Sequence, residues 1–74
     1  MKRHDKYQRL RVLRAERRWT QLYLALKANV KQSRISQLEN GYADPTDRER
    51  ERISKAFQLP PSEVFPPAPE AVAS

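Results

Sequence analysis

Residues 20–41, TQLYLALKANVKQSRISQLENG, read as two short helices joined by a tight turn. Thr20 is an N-cap, and the helix it opens over residues 21–28 turns Leu24, Ala25 and Ala28 to one side. The small side chains at Ala25 and Ala28 let a second helix cross closely. Asn29 is the turn residue, because asparagine tolerates the left-handed conformation that a sharp helix end requires. Val30 plugs the corner. The next helix covers roughly residues 32–40, with Ile35 and Leu38 inward, Gln32, Ser33, Ser36 and Gln37 outward, and Gly41 as its stop.

Upstream, Asp5 with Gln8 forms a capping box for a helix running to about Arg17. Leu10, Leu13, the aliphatic part of Arg14 or Arg17, and Tyr7 make its inward stripe. The other side carries Arg9, Arg11, Arg17 and Arg18 with Glu16 as the only acidic neighbour, which favours a phosphate-facing surface over an internally paired one. Trp19, a single large aromatic between helices, belongs to the core. Downstream, Thr46 and Glu49 form a capping box that opens a fourth helix through Phe57, with Ile53, Ala56 and Phe57 inward. Arg48, Glu49, Arg50, Glu51 and Arg52 read as a solvated turn of mixed-sign, helix-stabilising pairs. A last helical turn brings Val64 and Phe65 onto the core or a partner. The expected division is a basic arm over residues 1–4, one domain over 5–65, and a disordered Pro/Ala-rich tail over 66–74.

Composition agrees with a small, simple domain. Seventy-four residues without cysteine exclude a disulfide framework and a thiolate metal site, so stability has to come from packing or from a partner subunit. Residues 1–34 hold eleven Lys or Arg and two acids, a charge of +9; residues 35–74 hold four and seven, a charge of −3. A basic field this lopsided suits a polyanion, which charge alone leaves open between nucleic acid and an anionic membrane surface. The longest apolar-leaning run, residues 22–28, is too short to span a bilayer and is broken by Lys27, so the expected location is cytoplasmic. His4 has no neighbouring ligands for a metal. No cluster of His, Cys or paired carboxylates and no phosphate-cradling glycine loop is present, so neither an enzyme nor a cofactor is expected.

Two short helices at a steep angle with a turn of three or four residues form a helix-turn-helix. Leu10, Leu13, Arg14, Thr20, Gln21, Leu24, Ala25, Val30, Ile35, Ser36, Leu38, Glu39, Asn40, Gly41 and Pro45 follow in the order of one particular kind. From Leu10 to Pro45 the chain resembles, without a gap, the phage Cro and repressor type of helix-turn-helix domain, often called XRE-type. The resemblance extends more weakly to Phe65. It implies an all-α, lambda-repressor-like bundle of four to five short helices that binds double-stranded DNA, with the helix at 32–40 in the major groove.

By this resemblance Gln32, Ser33, Ser36 and Gln37 read bases, and a glutamine can pair bidentately with adenine. Arg34 reads guanine, holds a phosphate or is simply solvated; the sequence leaves all three open. Gln21 at a helix N-terminus, Arg11, Lys31, Asn40 and Tyr42 are the expected phosphate contacts. Arg14 and Glu39 match an internal salt bridge of the family. Lys31 stands where the family has a Ser or Thr N-cap, so a capping bond worth roughly 1 kcal/mol gives way to a phosphate contact. Leu22, Tyr23 and Leu26 depart from the family's polar pattern and suggest a partner surface. The expected protein is a transcriptional regulator, binding a palindromic operator as a homodimer paired through Phe57, Leu59, Val64 and Phe65, unless those residues fill the protomer's own core. The other reading is an antitoxin or adaptor whose Leu22, Tyr23 and Leu26 surface meets a protein such as a toxin.

Overall fold

The computed structural model describes residues 8–66. The basic arm, Asp5 with its capping box, Tyr7 and residues 67–74 lie outside that range. Within it are five helices and, among the described residues, no strand: α1 Gln8–Glu16, α2 Gln21–Ala28, α3 Gln32–Glu39, α4 Asp47–Phe57 and α5 Pro61–Val64. α3 packs on α2 and α1, α4 on α2 and α5, and α5 closes against α1. Leu10, Leu24, Ile35, Leu38, Ile53 and Val64 are fully enclosed where these helices meet. Spacings of three and four residues, such as Leu10 with Leu13 and Ile35 with Leu38, place one stripe of each helix in this core.

Two helices start on threonine caps. Thr20 Oγ1 accepts from the Tyr23 N–H at 3.0 Å. Thr46 Oγ1 accepts from the Glu49 N–H at 3.1 Å, while the Glu49 carboxylate accepts from the Thr46 N–H at 3.0 Å, a complete capping box.

Four helices end in one way. Arg18, Asn29, Gly41 and Gln58 each adopt positive φ, at 57°, 59°, 75° and 60°. After each, the next residue's N–H reaches back five residues: Trp19 to Arg14 O, Val30 to Ala25 O, Tyr42 to Gln37 O, and Leu59 to Ser54 O. This is the Schellman arrangement, in which an apolar residue just past the left-handed one packs back onto its helix. Trp19, Val30 and Leu59 do so, each half-buried against the core. Trp19 stacks on Phe57 with centroids 5.1 Å apart.

Only one of these four left-handed positions is glycine. The left-handed conformation costs an ordinary residue roughly 1–2 kcal/mol, against the 0.5–1 kcal/mol of extra chain entropy that glycine loses on folding. Gln58 is exposed, and Gln58→Gly should therefore stabilise the domain by about 0.5–1 kcal/mol, read as a rise of several degrees in thermal midpoint, of the order expected for a domain this small. An unchanged or lower midpoint would contradict the conformational cost assigned to that position.

Phe57, Val64 and Phe65 are buried in the protomer core, and Leu59 is half-buried against it. This agrees with the second of the two sequence expectations, that these side chains fill the protomer's own core. Leu22, Tyr23 and Leu26 remain 50%, 48% and 73% exposed on the outer side of α2. Tyr23 is partly accounted for by its ring contact with Trp19, centroids 5.1 Å apart.

Candidate nucleic-acid interface

α3 is buried along one side by Ile35, Leu38 and Glu39, which leaves Gln32, Ser33 and Gln37 exposed together on the other and Ser36 half-exposed beside them. The outward residues are short or neutral, and all four can both donate and accept hydrogen bonds. α3 opens on Lys31, which is extended at φ −63°, ψ 143° and makes no side-chain cap. The first-turn N–H groups of a helix lack intrahelical acceptors and carry the positive end of its dipole, so this end favours an anion. Lys31→Ser should thus separate two properties. It should raise stability by roughly 1 kcal/mol through a new cap, measured by urea denaturation, while weakening binding to any duplex alike if Lys31 makes the phosphate contact expected from the sequence.

The Glu39 carboxylate, with a side chain of zero exposure, gathers the helices behind this surface. Arg14 donates to both of its oxygens, Nε to Oε2 at 2.6 Å and Nη2 to Oε1 at 2.9 Å, and its Nη1 donates to Trp19 O at 2.8 Å. Hydrogen bonding to Glu39 raises the Arg14 pKa further, against the lowering effect of burial. Gln21 Nε2 donates to Glu39 Oε1 at 3.0 Å. The side chain expected to reach a phosphate is thus tied inward, and the N-terminal turn of α2 remains as the anion-facing element beside it.

Arg11 lies half-exposed, 3.8 Å from Glu39, and donates to Asn40 Oδ1 at 3.1 Å. Asn40 Nδ2 donates to Ser36 O at 2.9 Å. Arg11 and Asn40, expected phosphate contacts from distant parts of the chain, are therefore adjacent at the C-terminal end of α3. Tyr42 follows Gly41 there. In the other three Schellman ends the corresponding residue packs onto the core; Tyr42 is 77% exposed. The fold does not use its ring, which leaves it available at the rim.

The basic side of α1 is not uniformly free. Arg9 donates from Nε to Glu63 O at 3.2 Å and stands 3.8 Å from the Glu63 carboxylate. Arg17 donates to Leu13 O and lies over the rings of Phe57 and Trp19, at 5.0 and 5.8 Å. The expectation that this side lacks internal partners is corrected for Arg9 and Arg17 as it is for Arg11; Glu63 and Phe57 come from far along the chain, whereas Leu13 and Trp19 are near neighbours of Arg17.

Arg34 and Glu49 were also legible only in part. Arg34 donates from Nε to Glu49 Oε2 and from Nη2 to Glu49 Oε1, both at 2.7 Å, and from Nη2 to Asp44 O at 3.1 Å. Arg34 is therefore not a solvated arginine, and Glu49 is not part of a merely solvated turn. The Arg34 hydrogen bonds hold the Glu49 carboxyl below its ordinary value, outweighing burial, with further help from Thr46. A carboxyl lowered in the folded state contributes stability that is full above the ordinary carboxylate range and is lost as pH falls through the lowered value. Arg52, from the same expected solvated turn, donates to Asn29 O at 3.2 Å and ties α4 to the end of α2.

Among the described residues no group of His, Cys, Asp or Glu is placed to hold a metal ion, and no helix is long and apolar enough to cross a membrane.

Three solved structures share this arrangement. The restriction-modification controller protein C.AhdI from Aeromonas hydrophila is 26% identical, with 82% of this chain and 92% of that one covered at a TM-score of 0.77. The P22 c2 repressor protein, solved in complex with synthetic operator 9T, is 25% identical, with coverage of 85% and 96% and a TM-score of 0.77. The SinR protein/SinI protein complex matches at 24% identity, 93% and 68% coverage and a TM-score of 0.77, a likeness of fold alone. No match was found among curated proteins. The Helix-turn-helix family matches residues 10–64, from the first core leucine of α1 to the last residue of α5. The chain belongs to the helix-turn-helix family, of the phage Cro and repressor type.

Proposed function

We propose that this protein is a transcriptional regulator that binds double-stranded operator DNA in a sequence-specific manner, with α3 in the major groove. The observation that carries the reading is the outer face of α3. Gln32, Ser33, Ser36 and Gln37 offer donors and acceptors but no charge, on a helix whose opposite side is fully committed to the core. Side chains that both donate and accept can match the mixed donor and acceptor pattern of base edges in the major groove, which a purely cationic face cannot. Lys31 at one end of α3 and Arg11, Asn40 and Tyr42 at the other are the side chains this reading assigns to the DNA backbone on either side of the groove. The operator found with the P22 c2 repressor, 25% identical over most of both chains, supports the same reading.

One short helix makes few base contacts, so specificity of useful size requires two copies on half-sites about one DNA turn apart, which makes the operator a palindrome. Selection from a random duplex library tests this. The wild type should enrich a palindromic site, and Gln32→Ala and Gln37→Ala should each relax the preference at separate positions within it. Absence of any palindromic enrichment sinks the regulator reading. Identical preferences in both variants would remove the base-reading role while leaving DNA binding in place.

The exposed Leu22, Tyr23 and Leu26 favour a second activity on the same chain, contact with another protein, as an antitoxin or adaptor makes. Leu22→Ser with Leu26→Ser should abolish such a contact and leave operator affinity unchanged. Loss of operator affinity in that variant would assign the face to DNA binding or pairing instead.

A further inference from the structure

We infer that Arg34 governs base recognition through Gln37: it holds the Gln37 amide so that donors face the groove, and thereby makes guanine the preferred base at the position Gln37 reads. The inference rests on the proposed placement of α3 in the major groove. It adds a positioning residue and a base preference to that reading.

Arg34 is fixed on two sides. Its two 2.7 Å bonds to Glu49 are the bidentate fork-to-carboxylate arrangement, and its bond to Asp44 O holds the guanidinium from the loop. Glu49 is itself anchored by the capping box of α4. The remaining arm, Nη1, lies 3.4 Å from Gln37 Oε1. A guanidinium has only donors, so the atom of Gln37 that faces it has to be the amide oxygen. The NH2 group of the planar amide is then turned away from Arg34. At 3.4 Å and exposed, this bond adds little stability; its consequence is orientation.

A free glutamine pairs with adenine by accepting from N6 and donating to N7, which needs both ends of the amide turned to the base. With the oxygen facing Arg34, Gln37 leads with its NH2. Guanine, which presents acceptors at both O6 and N7, fits that polarity, whereas the N6 amino group of adenine opposes it. The neighbouring outward group has the same bias, since Asn40 Nδ2 lies 3.5 Å from Ser36 Oγ and so occupies an acceptor side of that hydroxyl. Among the described residues no side chain holds the Gln32 amide in this way, and adenine reading stays with it.

The test is selection from a random duplex library by the full chain, with wild type, Gln37→Ala, Arg34→Met and Glu49→Gln run in parallel. Gln37→Ala identifies the base pair concerned as the one whose preference disappears. Wild type should favour guanine over adenine there by roughly ten-fold, the lower range for a base-edge contact. Arg34→Met should bring the two bases to near parity while other positions keep their preferences. Glu49→Gln, whose amide oxygen can still complete the capping box, should move the same position in the same direction and by less. It decides the matter if Arg34→Met fails to fold, as judged by helical circular dichroism. A merely structural arginine would lower affinity for all sequences together and leave the base preference unmoved, and that result overturns the inference. So do a wild-type preference for adenine at the Gln37 position, a Gln37→Ala variant with unchanged preferences, and an Arg34→Met effect confined to a different base pair, which would make Arg34 itself the reader. A wild type that enriches no sequence overturns the proposed function and this inference with it.

Discussion

Glu39→Gln should destabilise the domain by about 3–5 kcal/mol, the range for removing one partner from a buried ion pair. The carboxylate is fully enclosed and accepts from Arg14 at both oxygens and from Gln21, so the substitution removes the charge and turns one accepting atom into a donor. Arg14, only 18% exposed, would then keep its charge in a partly desolvated site with one of its three acceptors gone and no counter-charge. A domain this small has a total stability of only a few kcal/mol, on the order of 0.05–0.15 kcal/mol per residue. The variant should therefore be largely unfolded at 25 °C, seen as lost helical circular dichroism and altered fluorescence of Trp19, whose ring otherwise stacks on Phe57. A loss below about 1 kcal/mol would show that the pair is dispensable. The double replacement Arg14→Met with Glu39→Met should recover much of the loss, because apolar groups of similar volume often match or exceed a buried pair. Its operator affinity should stay low, since Arg11 and Gln21 would lose the carboxylate they share.

That carboxylate also marks how far the sequence could be read. Its pairing with Arg14 was expected from the family resemblance, and the helices around it from local chemistry: threonine caps at Thr20 and Thr46, asparagine and glycine at the left-handed positions 29 and 41, and apolar spacing inward. The ends at Arg18 and Gln58 carried no such signal, because an arginine and a glutamine there look like ordinary helix surface. What marks them is the apolar residue that follows, Trp19 or Leu59, packing back as the Schellman motif requires. The pairing of charges was least legible. Neighbours in α4 suggested pairs within one helix turn, yet Glu49 joins Arg34 and Arg9 joins Glu63, partners brought together only by the tertiary fold. Long side chains choose among partners by reach and burial, and sequence spacing records neither. For the same reason the bond from the Gln21 amide to Glu39 has no signal in the sequence.

This sorting of charges sets the salt dependence of operator binding, expected to be steep and to trace to particular arginines. Affinity for duplex DNA falls with salt in proportion to the phosphates neutralised, with a logarithmic slope near −0.9 per contact. On the proposed function, with Arg11 and Lys31 at the ends of α3 as the phosphate contacts of each of two copies on a palindrome, there are about four contacts and the slope should be near −4. Between 50 and 200 mM salt that is a loss of roughly 10²-fold in affinity, with any contribution from the basic residues before α1 steepening it. Arg11→Ala, carried by both copies, should flatten the slope by about 2. Arg9→Ala and Arg17→Ala remove the same formal charge, but these guanidiniums lie against α5 and over the Phe57 and Trp19 rings rather than at the C-terminal end of α3, so the slope should stay within error. Titration by fluorescence anisotropy at several salt concentrations measures all four proteins on one duplex. Equal flattening by all three arginine variants would mean that the helix acts as a diffuse basic surface, and that the internal partners of Arg9 and Arg17 are surrendered when DNA arrives. A change with Arg11→Ala alone would locate the phosphate contact beside Asn40, where the chain holds Arg11 next to the C-terminal end of α3.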